Sequence, residues 1–135
     1  METSKTVTVQ VETVGQAYLE VLRARGIKYF FGNSGTDFGP IIDALAKFGA
    51  EKKMHPMPIT VPHEFVAVSM AQGYAMITGE PQVVMVHVIV GTGNASAAVM
   101  NASRETRTSS SVIASALSFS SADGALGFFI DRKPP

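Results

Sequence analysis

A long apolar run at residues 82–90 most constrains what this chain can fold into. It is bounded by the Gly-Glu-Pro of residues 79–81 and by Gly91. Runs of this kind are typical of strands that are covered on both faces, as the strands of parallel sheets are. Helical and strand patterns alternate along the rest of the chain, and this order implies right-handed crossover connections. The sequence therefore predicts an α/β fold, a three-layer αβα arrangement with a mainly parallel sheet.

Capping residues and apolar spacing predict the individual elements. Thr13 and Gln16 fit a capping box for a first helix, which Gly26 ends. Asp37 is expected to cap a second helix, which Gly49 closes. The other predicted elements are strands at residues 27–31, 58–61, 82–90 and 111–116, a helix that begins at Glu64, and a helix over residues 95–104.

The predicted topology also indicates where a ligand would bind. In open parallel sheets, ligands lie beyond the carboxyl ends of the strands. Residues 32–36, 61–64 and 91–94 all fall at that edge. Their convergence predicts a site there, and it does not by itself identify the ligand.

Glu64 is the most informative single residue of the chain. An acid in the first turn of a helix, after Pro62, is ordinary helix-start chemistry. The helix that follows has almost no polar face, however, and a helix that is apolar all round is buried on most sides. Burying an unpaired carboxylate is costly. We therefore expect Glu64 to point from a core element into an enclosed site.

Charge and composition exclude several classes of function. Lys and Arg together number 11, as do Asp and Glu, so no basic surface for nucleic acid or an anionic membrane is expected. The absence of cysteine excludes disulfides, thiolate metal sites and thiol catalysis. The N-terminal residues do not resemble a signal peptide, and no apolar run has the length of a membrane span. We expect a cytoplasmic protein with neither nucleic-acid nor membrane partners, and we identify no metal ligands.

Several sequence features occur in an order that resembles a known family. They are the loop around Gly35, the pair His63-Glu64, residues 71–75 followed by Thr78-Gly79, the Gly-Thr-Gly-Asn of residues 91–94, and residues 101–104. Together they resemble the thiamine-diphosphate-dependent enzymes. More narrowly, the chain is similar to the N-terminal pyrimidine-binding domain of the acetolactate synthase and benzoylformate decarboxylase group. The resemblance implies an incomplete thiamine-diphosphate-binding fold at residues 13–127, between an N-terminal tail at residues 1–12 and a C-terminal tail at residues 128–135.

The resemblance implies thiamine diphosphate as the cofactor and Glu64 as the catalytic residue that activates it. In the family, the matching glutamate hydrogen-bonds a pyrimidine nitrogen. It thereby promotes the imino tautomer, whose nitrogen removes the thiazolium C2 proton. Such an acid has to exchange protons near neutral pH. We therefore expect burial to raise the pKa of Glu64 more than the helix N-terminus lowers it.

The resemblance also implies roles for neighbouring residues. The expected cofactor-binding residues besides Glu64 are Gly35, Gly91, Thr92, Gly93 and Asn94. For Gly35, an ordinary turn is an equally good interpretation. His63 is expected either to position substrate and relay a proton, as a catalytic residue, or to be hydrogen-bonded structure only. His87, within the apolar run, is expected to be a core histidine.

Half of the active site of such an enzyme is expected to lie outside this sequence. In the family, a second αβ domain carries the diphosphate and Mg²⁺ through a Gly-Asp-Gly motif, and nothing here matches that motif. The family's active site lies between two domains of different subunits. The chain is therefore expected to need a diphosphate-binding domain of the same or another chain, to form a homo-oligomer, and to be inactive alone.

Three interpretations of the function remain open. In the first, the chain is the N-terminal portion of a lyase, decarboxylase or carboligase that acts on 2-oxo acids. In the second, it is the small subunit of a split 2-oxo acid decarboxylase. In the third, it is a non-catalytic interaction module that keeps the same scaffold.

Overall fold

The computed structural model describes residues 9–105, 112–118 and 126–132. Their helices are α1 (Val14–Ala24), α2 (Gly39–Ala50), α3 (Glu64–Thr78) and α4 (Val88–Glu105). Their strands are β1 (Tyr29–Gly32), β2 (Met57–Thr60), β3 (Gln82–Val86), β4 (Val112–Ser118) and β5 (Leu126–Arg132). A short 3-10 turn, Thr36–Phe38, precedes α2.

The sheet combines parallel strands with an antiparallel pair. Its strand order is β2-β1-β3-β5-β4. β1 pairs in parallel with both β2 and β3, whereas β5 runs antiparallel to both β3 and β4. α1 packs against α2, and α3 packs against α4. The predicted three-layer αβα class with a mainly parallel sheet is therefore confirmed.

The side chains of β1 and β3 alternate between two buried clusters, one on each face of the sheet, because successive residues of a strand point to opposite faces. The first cluster contains Tyr18 and Leu22 of α1 with Ile27, Phe30, Phe38, Val83 and Met85. The second contains Phe31, Val61, Val84 and Val86 with small residues of α3 and α4, among them Ala67, Ala71, Ala95 and Ala98. The small residues let these two helices lie close to the sheet and to each other.

The contact between α1 and α2 depends on a glycine. Gly15 is buried, and a Cβ atom built on it would overlap the carbonyl oxygen of Pro40. The start of α1 is fixed as predicted, because the backbone N–H of Gln16 donates to the Thr13 hydroxyl at 3.2 Å. The first turns of the two helices therefore meet at a defined point.

The apolar run at residues 82–90 is not one strand, and this prediction was wrong. β3 ends at Val86, where its pairing with β5 also ends, and α4 begins at Val88. Backbone groups beyond the sheet need other partners, and a helix supplies them, beginning with the Gly91 N–H that donates to the His87 carbonyl at 3.0 Å. Residues 91–94 consequently lie inside α4 rather than in a turn before it.

The C-terminal strands differ from expectation in pairing. β4 lies close to the strand predicted at residues 111–116, of which Ser111 falls outside the described residues. It pairs antiparallel with β5 rather than extending the parallel sheet. β5 itself runs across the predicted boundary at residues 127 and 128. The hairpin of β4 and β5 thus occupies the side of β3 that faces away from β1.

One face of α3 is open, contrary to the prediction that the helix is buried on most sides. Val66, Met70 and Ile77 are exposed, Ile77 to 88%. These positions are four and seven residues apart, so they lie on the same side of the helix. We refer to Val66, Met70 and Ile77 as the outer face of α3. The opposite side, which includes Ala67, Val68, Ala71 and Ala75, is buried against the sheet and α4.

Candidate functional site

Glu64 lies in the first turn of α3 and is 4% exposed. Its two carboxylate oxygens have different partners. Oε2 accepts a hydrogen bond from Nδ2 of Asn94 on α4 at 3.0 Å. Oε1 accepts one from Nδ2 of Asn33, in the loop after β1, at 3.3 Å. The carboxylate is therefore held between two neutral amides that come from different elements.

Gly91 completes the surroundings of this carboxylate. A Cβ atom built on it would lie 3.3 Å from Oε1 of Glu64 and 3.2 Å from the Cβ of Val86. The end of β3, the first turns of α4 and the start of α3 therefore meet at one point. This is the carboxyl edge of the parallel strands, where the topology predicted a site.

The ionisation of Glu64 differs from the prediction. Its pKa is lowered from the ordinary value of 4.5, first by the hydrogen bond from Asn94, which outweighs the opposing effect of burial. A backbone hydrogen bond and the amide of Asn33 lower the pKa of Glu64 further. The expected rise in this pKa was wrong, because the sequence did not reveal that two amides face the carboxylate.

The other predicted site residues vary in how close they come to Glu64. His63 is exposed and is the N-cap of α3, where its Nδ1 accepts a hydrogen bond from the backbone N–H of Phe65 at 3.2 Å. The hydroxyl of Thr92 donates to the Val88 carbonyl of its own helix at 2.7 Å. A Cβ atom on Gly93 would meet nothing within 4 Å. Of the four residues 91–94, Gly91 and Asn94 are therefore the ones that contact Glu64.

A second polar pair lies near the same edge. Nδ1 of His87, directly after β3, is 2.5 Å from Oδ1 of Asp37. Asp37 does not cap α2 as predicted, because the 3-10 turn intervenes and Phe38 takes the N-cap position. His87 is not a core histidine as predicted, since its side chain is 38% exposed. β3 ends one residue before it, which leaves the imidazole at the sheet edge.

Gly35 packs against this pair. A Cβ atom built on it would lie 2.6 Å from Oδ1 of Asp37 and 2.9 Å from Cγ of His87. Its φ of −155° is ordinary extended backbone, so glycine is required here by space and not by conformation. Gly35 therefore contacts the Asp37–His87 pair, and its lack of a side chain leaves the space that the pair occupies.

A cavity of about 570 Å³ opens beside the loop that follows β1. Its volume is within the range of small-molecule pockets. Its walls include Asn33, Gly35, Phe38, Ile41, Leu45 and Met85. Because Asn33 both lines this cavity and hydrogen-bonds Glu64, the cavity and the carboxylate share one wall.

Three residues of this site escaped the sequence reasoning. Asn33 stands two positions before Gly35, in a loop that the sequence already placed at the sheet edge. Its position could therefore have identified it as a site residue. Asp37 looked like a helix cap, and His87 lay within an apolar run. Asp37 and His87 are 50 positions apart, and they pair because β3 ends before His87. No local sequence pattern indicates this pairing.

Residues 9–105, 112–118 and 126–132 lack two further kinds of feature. No helix there has both the length and the apolar character that crossing a bilayer requires. No group of three or more His, Asp or Glu side chains is arranged to hold a metal ion.

The chain also resembles known proteins in sequence. Among curated proteins, the chain is similar to benzoylformate decarboxylase from Pseudomonas aeruginosa, with 36% identity over 92 residues. This similarity covers 68% of the chain and 16% of that relative's length. Residues 12–126 match the family described as thiamine pyrophosphate enzyme, N-terminal TPP binding domain, thiamine pyrophosphate being another name for thiamine diphosphate. Since this match covers most of the sequence, the chain belongs to the thiamine pyrophosphate enzyme family, through that family's N-terminal TPP binding domain.

Proposed function

We propose that this chain binds the aminopyrimidine ring of thiamine diphosphate at Glu64, as part of a lyase, decarboxylase or carboligase that acts on 2-oxo acids. One observation carries the proposal. Glu64 is 4% exposed, and within the described residues its carboxylate accepts hydrogen bonds from the amides of Asn33 and Asn94 and forms no salt bridge. A buried carboxylate without a salt-bridge partner is costly, so a role toward a ligand accounts for it better than a role in stability.

The residues around Glu64 fit an aminopyrimidine. Asn33 and Asn94 hold the carboxylate in its charged form, and a charged carboxylate accepts a hydrogen bond from a protonated ring nitrogen. Gly91 leaves room beside Oε1, where a larger residue would place a side chain. Glu64 and Gly91 would therefore face the ring, and Asn33 and Asn94 would orient the carboxylate. When bound, the cofactor supplies the carbanion chemistry that the reaction of a 2-oxo acid requires.

The predicted residues that do not hydrogen-bond Glu64 have supporting roles in this proposal. His63 holds the first turn of α3 in place through the hydrogen bond that its Nδ1 accepts from Phe65. Thr92 and Gly93 lie in the first turns of α4 and serve by placing Asn94. His87 lies at the same edge of the sheet, directly after β3, and we assign it proton exchange with the substrate.

The proposal includes a second domain, of the same or another chain, that holds the diphosphate and Mg²⁺. The name of the matched family, an N-terminal domain, supports this, as does a similarity that spans 16% of the relative's length. The active protein would accordingly be an assembly in the cytoplasm, and this chain alone would be inactive. The small subunit of a split 2-oxo acid decarboxylase would have the same half-site.

Ligand titration tests the proposal on the chain itself. Thiamine and, separately, thiamine diphosphate with Mg²⁺ would be added to the ¹⁵N-labelled protein while backbone amide resonances are followed. We expect both ligands to shift the signals of Glu64, Gly91 and Asn94 with similar affinity, because this domain contacts the pyrimidine and not the diphosphate. Glu64→Gln should weaken binding about tenfold or more, since a hydrogen bond to a charged group contributes about 1.5–3 kcal/mol.

Glu51→Gln is the matched control, because Glu51 is an exposed glutamate at the end of α2. Its affinity for thiamine should equal that of the wild type. Shifts that persist at the site in Glu64→Gln would contradict the assigned role of this residue. A wild-type chain whose site resonances respond to neither ligand, alone or with a diphosphate-binding domain added, would instead favour the non-catalytic interaction module.

A further inference from the structure

We propose that Asp37 is a positioning residue that fixes the tautomer and the ring orientation of His87, so that proton exchange takes place at Nε2. The role of this proton exchange in catalysis rests on the proposed function. The contact between Asp37 and His87 does not depend on that function. Nothing in the family match or in the similarity to benzoylformate decarboxylase assigns either residue.

The burial of Asp37 is the first observation. Its side chain is 4% exposed, whereas that of His87 is 38% exposed. Oδ2 of Asp37 is buried and has no hydrogen-bond partner among the described residues. The contact between Oδ1 and Nδ1 of His87, at 2.5 Å, is therefore the main compensation for burying this carboxylate.

This arrangement determines which imidazole nitrogen carries a proton. An ionised carboxylate only accepts hydrogen bonds, so Nδ1 of His87 has to be the donor. Nε2 then accepts a proton when the ring is neutral and donates one when the ring is charged. Proton exchange through Nε2 leaves Nδ1–H and the carboxylate of Asp37 unchanged, as in other carboxylate–histidine pairs.

Two neighbours restrict the orientation of the imidazole of His87. Gly35 packs on one side of the pair, without room for even a Cβ atom. The ring of Phe38 lies edge-on, with 6.3 Å between the ring centroids and an interplanar angle of 78°.

The backbone beside His87 is also unusual, because Val88, the next residue, has a φ of 47°. Positive φ is unusual for a β-branched residue, and such strain persists only where the surroundings impose it. The strained residue stands at the junction where the chain leaves β3 and enters α4. The backbone conformation next to His87 is therefore fixed at this junction.

The tautomer of His87 is directly measurable. In protein labelled with ¹⁵N-histidine, long-range ¹H–¹⁵N spectra in alkaline buffer distinguish a protonated from an unprotonated ring nitrogen. The His87→Gln variant lacks the ring signals of His87 and so identifies them among those of the three histidines. We expect wild-type His87 to have a protonated Nδ1 and an unprotonated Nε2, the reverse of the tautomer that free histidine prefers.

Substitution of Asp37 should abolish the preference of His87 for a proton on Nδ1. In Asp37→Ala, the His87 signals should shift to the Nε2–H pattern of free histidine. Asp37→Asn keeps the shape of the side chain but not its charge, so the two tautomers should be mixed. Asp43→Asn, at an exposed acid of α2, is the matched control and should leave the spectrum unchanged.

Two outcomes would overturn the proposal. One is a wild-type spectrum with Nε2 protonated, a result that requires no variant and therefore does not depend on the folding of one. The other is a folded Asp37 variant that keeps the wild-type tautomer. Neither experiment uses thiamine, so the thiamine titration can fail while the tautomer result stands, and the reverse is equally possible.

Discussion

The hydrogen bond from Asn94 is the largest cause of the lowered pKa of Glu64. Removing the amide by Asn94→Ala should raise this pKa, because the hydrogen bond is lost and the opposing effect of burial remains. The side-chain ¹³C carboxyl resonance of Glu64, followed as a function of pH, measures this change. Asn101→Ala removes an exposed amide from the same helix and should leave the pKa of Glu64 unchanged.

The same substitution should change acid stability. Because the pKa of Glu64 in the folded protein is below 4.5, its contribution to stability is present above pH 4.5 and is lost as the pH falls through the folded value. Asn94→Ala should therefore move the onset of acid unfolding to higher pH, measured by circular dichroism. If Asn94→Ala and wild-type protein unfold at the same pH and titrate alike, the hydrogen bond between Asn94 and Glu64 has no energetic role.

At the scale of single residues, the sequence identified Glu64 and its surroundings incompletely. Its burial was predicted correctly, although the helix that it begins has one open face, and the place of Asn94 at the sheet edge followed from topology. The direction of its pKa shift did not follow, since this depends on two side chains that approach from different elements. The Asp37–His87 pair was missed for a similar reason, because it joins residues that only the complete sheet brings together.

At the scale of elements, the contact between α1 and α2 makes a quantitative prediction. Gly15→Ala should destabilise the protein by roughly 1–3 kcal/mol, because the new methyl group overlaps the Pro40 carbonyl and the helices have to separate. Gly49→Ala, at an exposed position of α2 where a Cβ atom meets nothing within 4 Å, should stabilise it by roughly 0.5–1 kcal/mol. Chemical denaturation of both variants measures the difference, and equal effects would rule out close packing at Gly15.

Elements with local signals were predicted well, and elements whose ends depend on neighbours were not. The Thr13 cap placed α1 correctly. The apolar run at residues 82–90 carried no local stop signal, and β3 ends where its pairing with the adjacent strands ends. α4 consequently begins seven residues earlier than predicted, at Val88 rather than residue 95. Strand ends set by pairing are a property of the sheet that a single segment does not encode.

At the scale of the whole molecule, the outer face of α3 is expected to mediate association. Val66, Met70 and Ile77 form an apolar surface, and such surfaces on soluble domains mark interaction sites. The double substitution Met70→Lys with Ile77→Lys should lower the apparent mass in sedimentation velocity. Ile42→Lys, at a position of α2 that is 59% exposed, is the control on the opposite layer. If the double variant associates as the wild type does, another surface is responsible.

The hydrogen bonds of Asn33 have a consequence for the kinetics of ligand binding. Its Oδ1 accepts from the backbone N–H of Ser34 at 2.8 Å, and its Nδ2 donates to the Pro62 carbonyl and to Glu64, each at 3.3 Å. One side chain therefore connects the loop after β1 with the start of α3 before any ligand arrives. A ligand entering such a site has few segments left to order, so little conformational entropy is lost on binding. Association should accordingly be a single fast step, and differences in affinity among ligands should arise mainly from how slowly each one leaves.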